Sequence, residues 1–362
     1  MTTRFGFLVH PFFSYDLEKR FPLTKNLPSN LVEWTLKFLP PFKGTERIEL
    51  ITNLGKTEGY FIVCPLTPKQ FVELSPRQVV QKLIQAGKYA EKLGVEILGV
   101  DTFLSSREEI FNSFNQQLGI PITSGKTYTT ALGLSALKKA AGLLGINLNE
   151  AEVLIVGATG DFGSALAQIL AEQVKYLTIM DRDELKLDRL AQFLLEYTGT
   201  AVRISSNLNW VLKRADLVVF ADRLEGEVDV SNFKPGTLVC DFSWQPNISK
   251  QAAERRKDVL FIQGGSAGLP NAIDYKYNLL EGSYHSSAIE TMLIALEGKV
   301  EDRFFKQEIS ISRVRELSKL GEKHGFELDG FLNYGKILRF GEIEPLGRFF
   351  SLKRRQLDRI SN

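Results

Sequence analysis

Residues 151–181 read AEVLIVGATGDFGSALAQILAEQVKYLTIMD, and the order of residue types in this stretch sets the fold. Val153 to Val156 is a short apolar, β-branched run of the kind that forms a strand buried on both faces of a parallel sheet. Gly157, Gly160 and Gly163 follow at once. Ala165 to Leu170 then carries apolar residues at helical spacing, and Tyr176 to Met180 is a second short strand ending at Asp181. Such a βαβ unit of about 30 residues is the context in which a glycine-rich turn means dinucleotide binding. Gly157 permits the sharp turn off the strand, and Gly160 lets backbone amides approach a pyrophosphate. Gly163 removes the side chain where helix meets sheet, and the helix N-terminus adds partial positive charge.

The spacing is G-x-x-G-x-x-G rather than the commoner G-x-G-x-x-G, so the flanking strands, the helix and the terminal acid carry the assignment. Thr159, Asp161 and Phe162 complete the loop, with Asp161 read as a first-turn acid directed at helix amides rather than at phosphate. Asp181 stands near the offset of about 20 residues at which an acid binds the adenosine ribose hydroxyls. A carboxylate there favours NAD over NADP. Arg182 follows directly and offers a partner for a 2′-phosphate, which keeps NADP open.

Working outward, strand-like and helical segments keep alternating on the C-terminal side. Strands are predicted at 202–205, 216–221, 237–242 and 259–262. Six strands with intervening helices make a doubly wound, Rossmann-type parallel sheet whose ligand lies at the carboxyl ends of its strands. Ala221, Ser243 and the pair Gly264 and Gly265 stand at three of those ends and are expected to meet the cofactor. On the N-terminal side, strands are predicted at 5–10, 47–54, 57–65, 95–100 and 120–123, and helices at 30–38, 79–93 and 107–117, the last with Ser105 and Glu108 as a capping box. The polar turn Ser124–Thr127 leads to a helix over 129–144. The expected organisation is an N-terminal α/β substrate domain, 1–148, a dinucleotide-binding domain, 149–282, and C-terminal helices with a tail, 283–362, that return to the first domain.

Composition excludes several classes of function. A net charge of +2 supplies no concentrated basic face for nucleic acid, and Lys353, Arg354 and Arg355 read as a solvated end. Two cysteines, Cys64 and Cys240, make neither a disulfide framework nor a multi-cysteine metal site, and no metal is expected. No secretory signal and no membrane-spanning apolar run is apparent, so a cytoplasmic protein with no integral membrane span is expected. The 25 phenylalanines include clusters at Phe5, Phe7, Phe12 and Phe13 and at Phe38 and Phe42, which fill a core or line a pocket for a long apolar substrate.

Several stretches, in order, resemble one known family. They are FGFLVH from Phe5, GKYAEKLGVEILGVDTF from Gly87, SGKTYTTA from Ser124 and LGINLNEAEVLIVGATGDFGSA from Leu144. IQGG from Ile262, ETMLIALEG from Glu290 and KHGF from Lys323 follow. The chain is similar, to about Phe331, to the cyanobacterial long-chain acyl-[acyl-carrier-protein] reductases, which make fatty aldehydes from acyl thioesters with NADPH. That resemblance implies a reductase acting on an acyl chain, with an acyl carrier protein as a partner. It breaks at two places. The family's nucleophilic cysteine, aligned through Glu290, Met292 and Gly298, falls on Ser287, whose hydroxyl needs an activating base at neutral pH. His285 is that base only if the backbone is irregular, since positions i and i+2 of a helix do not face each other. Asp181 also stands where the family implies a basic residue for NADPH.

Lys126 reads either as a solvated turn residue or as a group that hydrogen-bonds a substrate carbonyl oxygen or protonates it as hydride arrives. The expected function is an NAD(P)-dependent oxidoreductase moving hydride to or from the carbonyl of a hydrophobic aldehyde, ketone or acyl substrate, with Lys126, His285 and Ser287 as its polar groups. The alternatives are an acyl-thioester reductase giving fatty aldehyde and a nucleotide-binding regulatory protein without turnover.

Overall fold

The computed structural model describes residues 3–11, 28–243, 246–267, 286–298 and 308–360. The chain divides into two compact units. One holds 1–128, 269–307 and 319–326; the other holds 129–268, 308–318 and 327–362. The first division falls inside a helix, at Tyr128, rather than at the loop near 148.

The first unit contains β1 (Arg4–Val9), α1 (Ser29–Leu36), β2 (Phe42–Lys43), β3 (Ile48–Thr52), β4 (Gly55–Val63), α2 (Pro68–Glu73), α3 (Pro76–Lys92), β5 (Ile97–Gly99), α4 (Thr102–Ser105), α5 (Glu108–Asn115), β6 (Ile122–Thr123) and the start of α6 (Lys126–Leu143). Strands β4, β1, β5 and β6 run parallel in that order, with β2 and β3 antiparallel to β4. Strand β1 is buried along nearly its whole length because helices cover both faces of the sheet. Leu8, Ile62 and Leu98 pack with Val79, Leu83, Phe111 and Phe114 of α3 and α5. Phe7, Val9 and Val63 on the other face meet Ala288.

Local sequence explains most of these boundaries. Thr67 and Ser75 each form a capping box, with Gln70 and Gln78, and each is followed by a proline in the first helical turn. The expected box at Ser105 and Glu108 does not form. Ser105 closes α4, whose N-cap is Asp101, and its hydroxyl donates to the Ser124 carbonyl at 2.8 Å. The turn expected at Ser124–Thr127 is shorter than predicted, because α6 already begins at Lys126.

The second unit carries β7 (Glu152–Val156), α7 (Asp161–Ala171), β8 (Tyr176–Met180), α8 (Glu184–Thr198), β9 (Arg203–Ile204), α9 (Leu208–Leu212), β10 (Leu217–Phe220), β11 (Leu238–Asp241), α10 (Lys250–Glu254) and β12 (Leu260–Ile262). The strand order is β12-β11-β10-β7-β8-β9, all parallel. Counted from β7, that is the 3-2-1-4-5-6 order of the doubly wound dinucleotide-binding sheet, with its switch point between β7 and β10. A three-stranded antiparallel sheet of β13 (Gly265–Ala267), β14 (Leu328–Asn333) and β15 (Lys336–Leu338) follows. It was not foreseen in the sequence.

Past the sheet, α11 (Ser286–Glu297) lies in the first unit, α12 (Ile311–Lys323) is divided between the two, and α13 (Phe340–Ile360) lies in the second. The stretch 353–355, read as a solvated end, is part of α13. Among the described residues no helix is long and apolar enough to cross a membrane. Both cysteines are buried, and burial pushes the Cys64 thiol up to about 12 and raises the Cys240 thiol as well.

Candidate functional site

The glycine loop sits at the switch point of the second unit's sheet. Gly157 turns off β7 with φ +76°, and a Cβ there would lie 2.8 Å from the Asp222 Cβ at the end of β10. Its amide and that of Ala158 donate to the Met180 carbonyl at 2.9 and 3.1 Å, tying the loop to β8. Gly163 lets α7 approach the loop, since a Cβ there would stand 2.0 Å from the Gly157 carbonyl oxygen. Gly160 differs: it is the N-cap of α7, and the nearest atom a Cβ would meet is 3.6 Å away. The loop therefore keeps open space at the one glycine that borders the helix N-terminus, which is the room a pyrophosphate needs. The site residues fit a dinucleotide on this ground.

Asp161 lies exposed in the first turn of α7. Phe162 packs its ring 6.0 Å from that of Phe242, which in turn fills the space left by Gly133 of α6.

Asp181 does more than end β8. Its Oδ2 accepts from the Thr159 amide at 2.8 Å and the Thr159 hydroxyl at 2.6 Å, and its Oδ1 accepts from the Arg182 amide at 2.7 Å. Partial burial works to push its carboxyl up, but these bonds outweigh it and hold the carboxyl below the usual range. The Asp183 amide bonds this carboxylate as well, so Asp181 anchors the loop through four hydrogen bonds. Arg182 points its guanidinium at Glu225, 2.7 Å away, in an exposed pair. That partner, 43 positions away in the chain, competes for the group expected to meet a 2′-phosphate.

Ala221 follows β10, its amide bonded to Val156. The loop after β11 folds around Asp241, which accepts from the Ser243 amide and hydroxyl and from the Asn247 amide. Burial, the larger influence, raises the Asp241 carboxyl. Gly264 turns with φ +96°, and Gly265 is already a residue of β13, paired with Phe331.

In the first unit the carboxyl ends of β1, β4, β5 and β6 bring a second group of polar residues together with the start of α11. Gly125, with φ +72°, lies directly on Ser287: a Cβ added to it would stand 2.1 Å from the Ser287 Cβ. Ser287 is 3% exposed and Lys126 is 4% exposed, so the solvated-turn reading of Lys126 does not hold. Glu290, one turn beyond Ser287, accepts from the Gly125 amide at 3.0 Å with one oxygen and from the Tyr128 amide at 2.8 Å with the other. Thr291 shares a 2.8 Å hydrogen bond with Thr123 and occupies the space that Gly99 leaves. Among the described residues no imidazole or carboxylate is bonded to the Ser287 hydroxyl. His285 lies outside the described residues.

Sequence reasoning missed Glu290, although a lone carboxylate inside the apolar run Ala288–Ala295 was a signal. It also missed His10. That imidazole is 7% exposed, stacks edge-on against Phe71 at 4.7 Å and places Nδ1 3.3 Å from the Cys64 carbonyl. Its Nε2 is the one buried side-chain polar atom without a partner among the described residues. Burial, the larger influence, draws it below the usual histidine range against the pull of Asp101. Of the phenylalanine clusters, Phe5 and Phe7 are core, Phe38 is exposed, and Phe12 and Phe13 lie outside the described residues. Among the described residues no group of three or more His, Cys, Asp or Glu side chains is placed to hold a metal ion.

Comparison with known proteins gives similarity without fixing a family. The family described as "Polysaccharide biosynthesis protein" matches residues 153–221, from β7 to the end of β10. The chain is 25% identical to the aminotransferase PigE of Serratia sp., an alignment that covers 96% of this chain but only 42% of that protein. It is 23% identical to the long-chain acyl-[acyl-carrier-protein] reductase of Synechococcus elongatus, over 86% of this chain and 94% of that one. Among solved structures, L-tryptophan dehydrogenase from Nostoc punctiforme aligns over 98% of this chain and 90% of its own, at 14% identity and a TM-score of 0.39. Quinate dehydrogenase from Corynebacterium glutamicum in complex with NAD aligns over 87% and 98%, at 14% identity and a TM-score of 0.34.

Proposed function

We propose that the protein is an NAD(P)-dependent oxidoreductase that moves hydride to or from the carbonyl carbon of a hydrophobic substrate. The observation that carries this reading is the glycine loop at the β7/β10 switch point, open at Gly160 and closed at Gly157 and Gly163. The 23% identity to an acyl-[acyl-carrier-protein] reductase over most of both chains supports it.

The loop amides and the α7 N-terminus would hold the pyrophosphate, and Asp181 would accept from the ribose. A nicotinamide cofactor held there would supply or accept the hydride. Lys126, buried at the start of α6, donates a hydrogen bond to the substrate oxygen and stabilises the charge that develops there. Gly125, the residue before it, packs directly on Ser287. With a cofactor preference for NAD(H), Asp181 acts on the ribose while Arg182 stays with Glu225.

A second reading, reduction of an acyl thioester with an acyl carrier protein as donor, is favoured by the same relative. On this reading Ser287 stands in the place of an attacking thiol or hydride goes directly to the thioester. Calorimetric titration with NAD(H) and NADP(H), followed by turnover of an aldehyde and alcohol panel, tests both readings. Micromolar binding of a reduced cofactor with aldehyde-dependent oxidation is expected. Absence of binding to either cofactor would remove the oxidoreductase assignment.

A further inference from the structure

The first unit carries a cavity of about 340 Å³ along one side of α3, within the size range of small-ligand pockets. The α3 sequence makes its longest wall. Val79, Leu83, Ala86 and Ala90 turn an apolar stripe to the core, and Gln78, Gln81, Lys82 and Gln85, at i, i+3, i+4 and i+7, form a second stripe that borders the cavity. Lys37 and Phe38, just past α1, and Leu74, just before α3, complete the lining, which holds two ammonium groups and no carboxylate. Lys82 is partly buried, and its Nζ donates to the Leu39 carbonyl at 2.9 Å, which leaves two N–H donors. Burial draws that ammonium below the ordinary lysine range. The Cys64 thiol, the titratable group that acts on it, is pushed up to about 12 and so carries no charge near neutrality to offset the lysine. Lys37 sets its ammonium over the rings of Trp34 and Phe38, at 5.4 and 5.2 Å from their centroids. Among the described residues neither lysine has a carboxylate partner, and the acids of the flanking helices, Glu33 and Glu73, pair with Lys69 at 3.6 and 3.8 Å. Phe38 is 64% exposed, its ring braced by Trp34 at 4.9 Å. The cavity thus joins a partly desolvated cation that lacks a counter-charge to an open aromatic wall.

We propose that this cavity binds a small organic anion with a flat apolar body, its charged group on Lys82 and Lys37 and its body against Phe38 and Leu74. The chemistry follows from the lining. A partly buried ammonium without a counter-ion is stabilised by an anion more than an exposed one is, because the attraction is less screened. Lysine is a point charge that takes phosphate or carboxylate alike. Glutamine amides donate as well as accept, so they can surround the charged group without repelling it. The lining lies wholly within the first unit and makes no use of the glycine loop, so the inference stands apart from the oxidoreductase reading.

The test uses three probes that share one flat body: 2-naphthyl phosphate, 2-naphthoate and the neutral 2-naphthylmethanol. Each is titrated by calorimetry at pH 7.5 into the full chain, at low and at raised salt. At least one anion should bind about tenfold or more tightly than the neutral probe, and its affinity should fall as salt rises. The tighter of the two anions distinguishes a phosphate ligand from a carboxylate. Lys82→Gln removes the charge and keeps a donor for the Leu39 carbonyl, so it should weaken the anion by about tenfold and leave the neutral probe within about twofold. Lys37→Met should act in the same direction and keeps the test open should the Lys82 variant fold poorly, with circular dichroism melts checking each. Phe38→Ala should weaken all three probes. Excess NADH should displace none of them. Equal binding of the anions and the neutral probe, no binding of either anion, unchanged anion affinity in the folded lysine variants, or displacement by NADH would overturn the proposal. A protein that fails this test and still binds NADH leaves the oxidoreductase reading intact.

Discussion

Replacing Gly160 by valine separates cofactor binding from folding more cleanly than any other change in the loop. Gly160 has φ −76° and ψ 172°, an extended conformation that valine adopts without strain. A Cβ there meets nothing nearer than 3.6 Å, so no neighbour has to move. The cost to the fold is therefore that of a poorer N-cap, about 1 kcal/mol or less. The valine methyl groups, however, fill the space through which a pyrophosphate reaches the loop amides. Hydrogen bonds to a charged group contribute roughly 1.5–3 kcal/mol each, so losing two weakens binding by about 10² to 10⁴-fold. Gly163→Ala is the contrasting control. Its Cβ would stand 2.0 Å from the Gly157 carbonyl oxygen, an overlap that costs about 1–3 kcal/mol of stability. Fluorescence titration with NADH and NADPH, paired with thermal melts, reads both effects. Valine at 160 with undiminished affinity for both cofactors would refute the assignment of the loop.

Three further outcomes are expected. Asp181→Ala frees the Thr159 amide and hydroxyl, so affinity for both cofactors should fall by about tenfold and the preference for NAD(H) over NADP(H) should narrow; a wild-type preference for NADP(H) in the same titrations would show that Arg182 leaves Glu225 and dominates. Ser287→Ala should change carbonyl turnover by no more than a few-fold, and Ser287→Cys should gain acyl-thioester reductase activity, because a thiol ionises near pH 8.5 and an alkanol does not; a covalent acyl adduct on wild-type Ser287, seen by intact mass and lost in the alanine variant, would establish a serine-based acyl enzyme instead. Glu297 accepts from His324 at 2.8 Å, and that hydrogen bond, opposed by burial and aided by Lys323, holds its carboxyl below the ordinary value. A depressed carboxyl contributes stability that is present above its unfolded value of about 4.3 and lost as pH falls through the folded value. The melting-temperature gap between wild type and Glu297→Gln should therefore be widest near neutrality and close below about pH 4; a gap constant from pH 3 to 7 would contradict the linkage.

Much of the second unit is legible in the chain as it stands. Its strands are short apolar runs, its glycines fall at the three positions where the loop needs them, and its helices carry their own periodicity. All of that information lies within a few residues of where it acts. The helix start at Lys126 and the unused box at Ser105 and Glu108 show where local signals fail. Ser105 had two hydrogen-bonding options, and the distant Ser124 carbonyl took it. In the small sheet β13–β14–β15, strand β13 was hidden because its three residues pair with β14 more than 60 positions away, whereas β14 and β15 form a local hairpin.

The sequence by itself determined the nucleotide loop, the parallel strands around it and the alternation that makes two α/β sheets. Tertiary structure alone decided which carboxylate faces which amide. Glu290 and Gly125 are 165 positions apart, Asp181 turned inward to hold Thr159, and Arg182 found Glu225. Hydrophobic periodicity reports which face of an element is buried. It carries no record of what that face will meet, because polar partners are set by the path of the whole chain, and a buried carboxylate settles wherever folding leaves amides for it to accept.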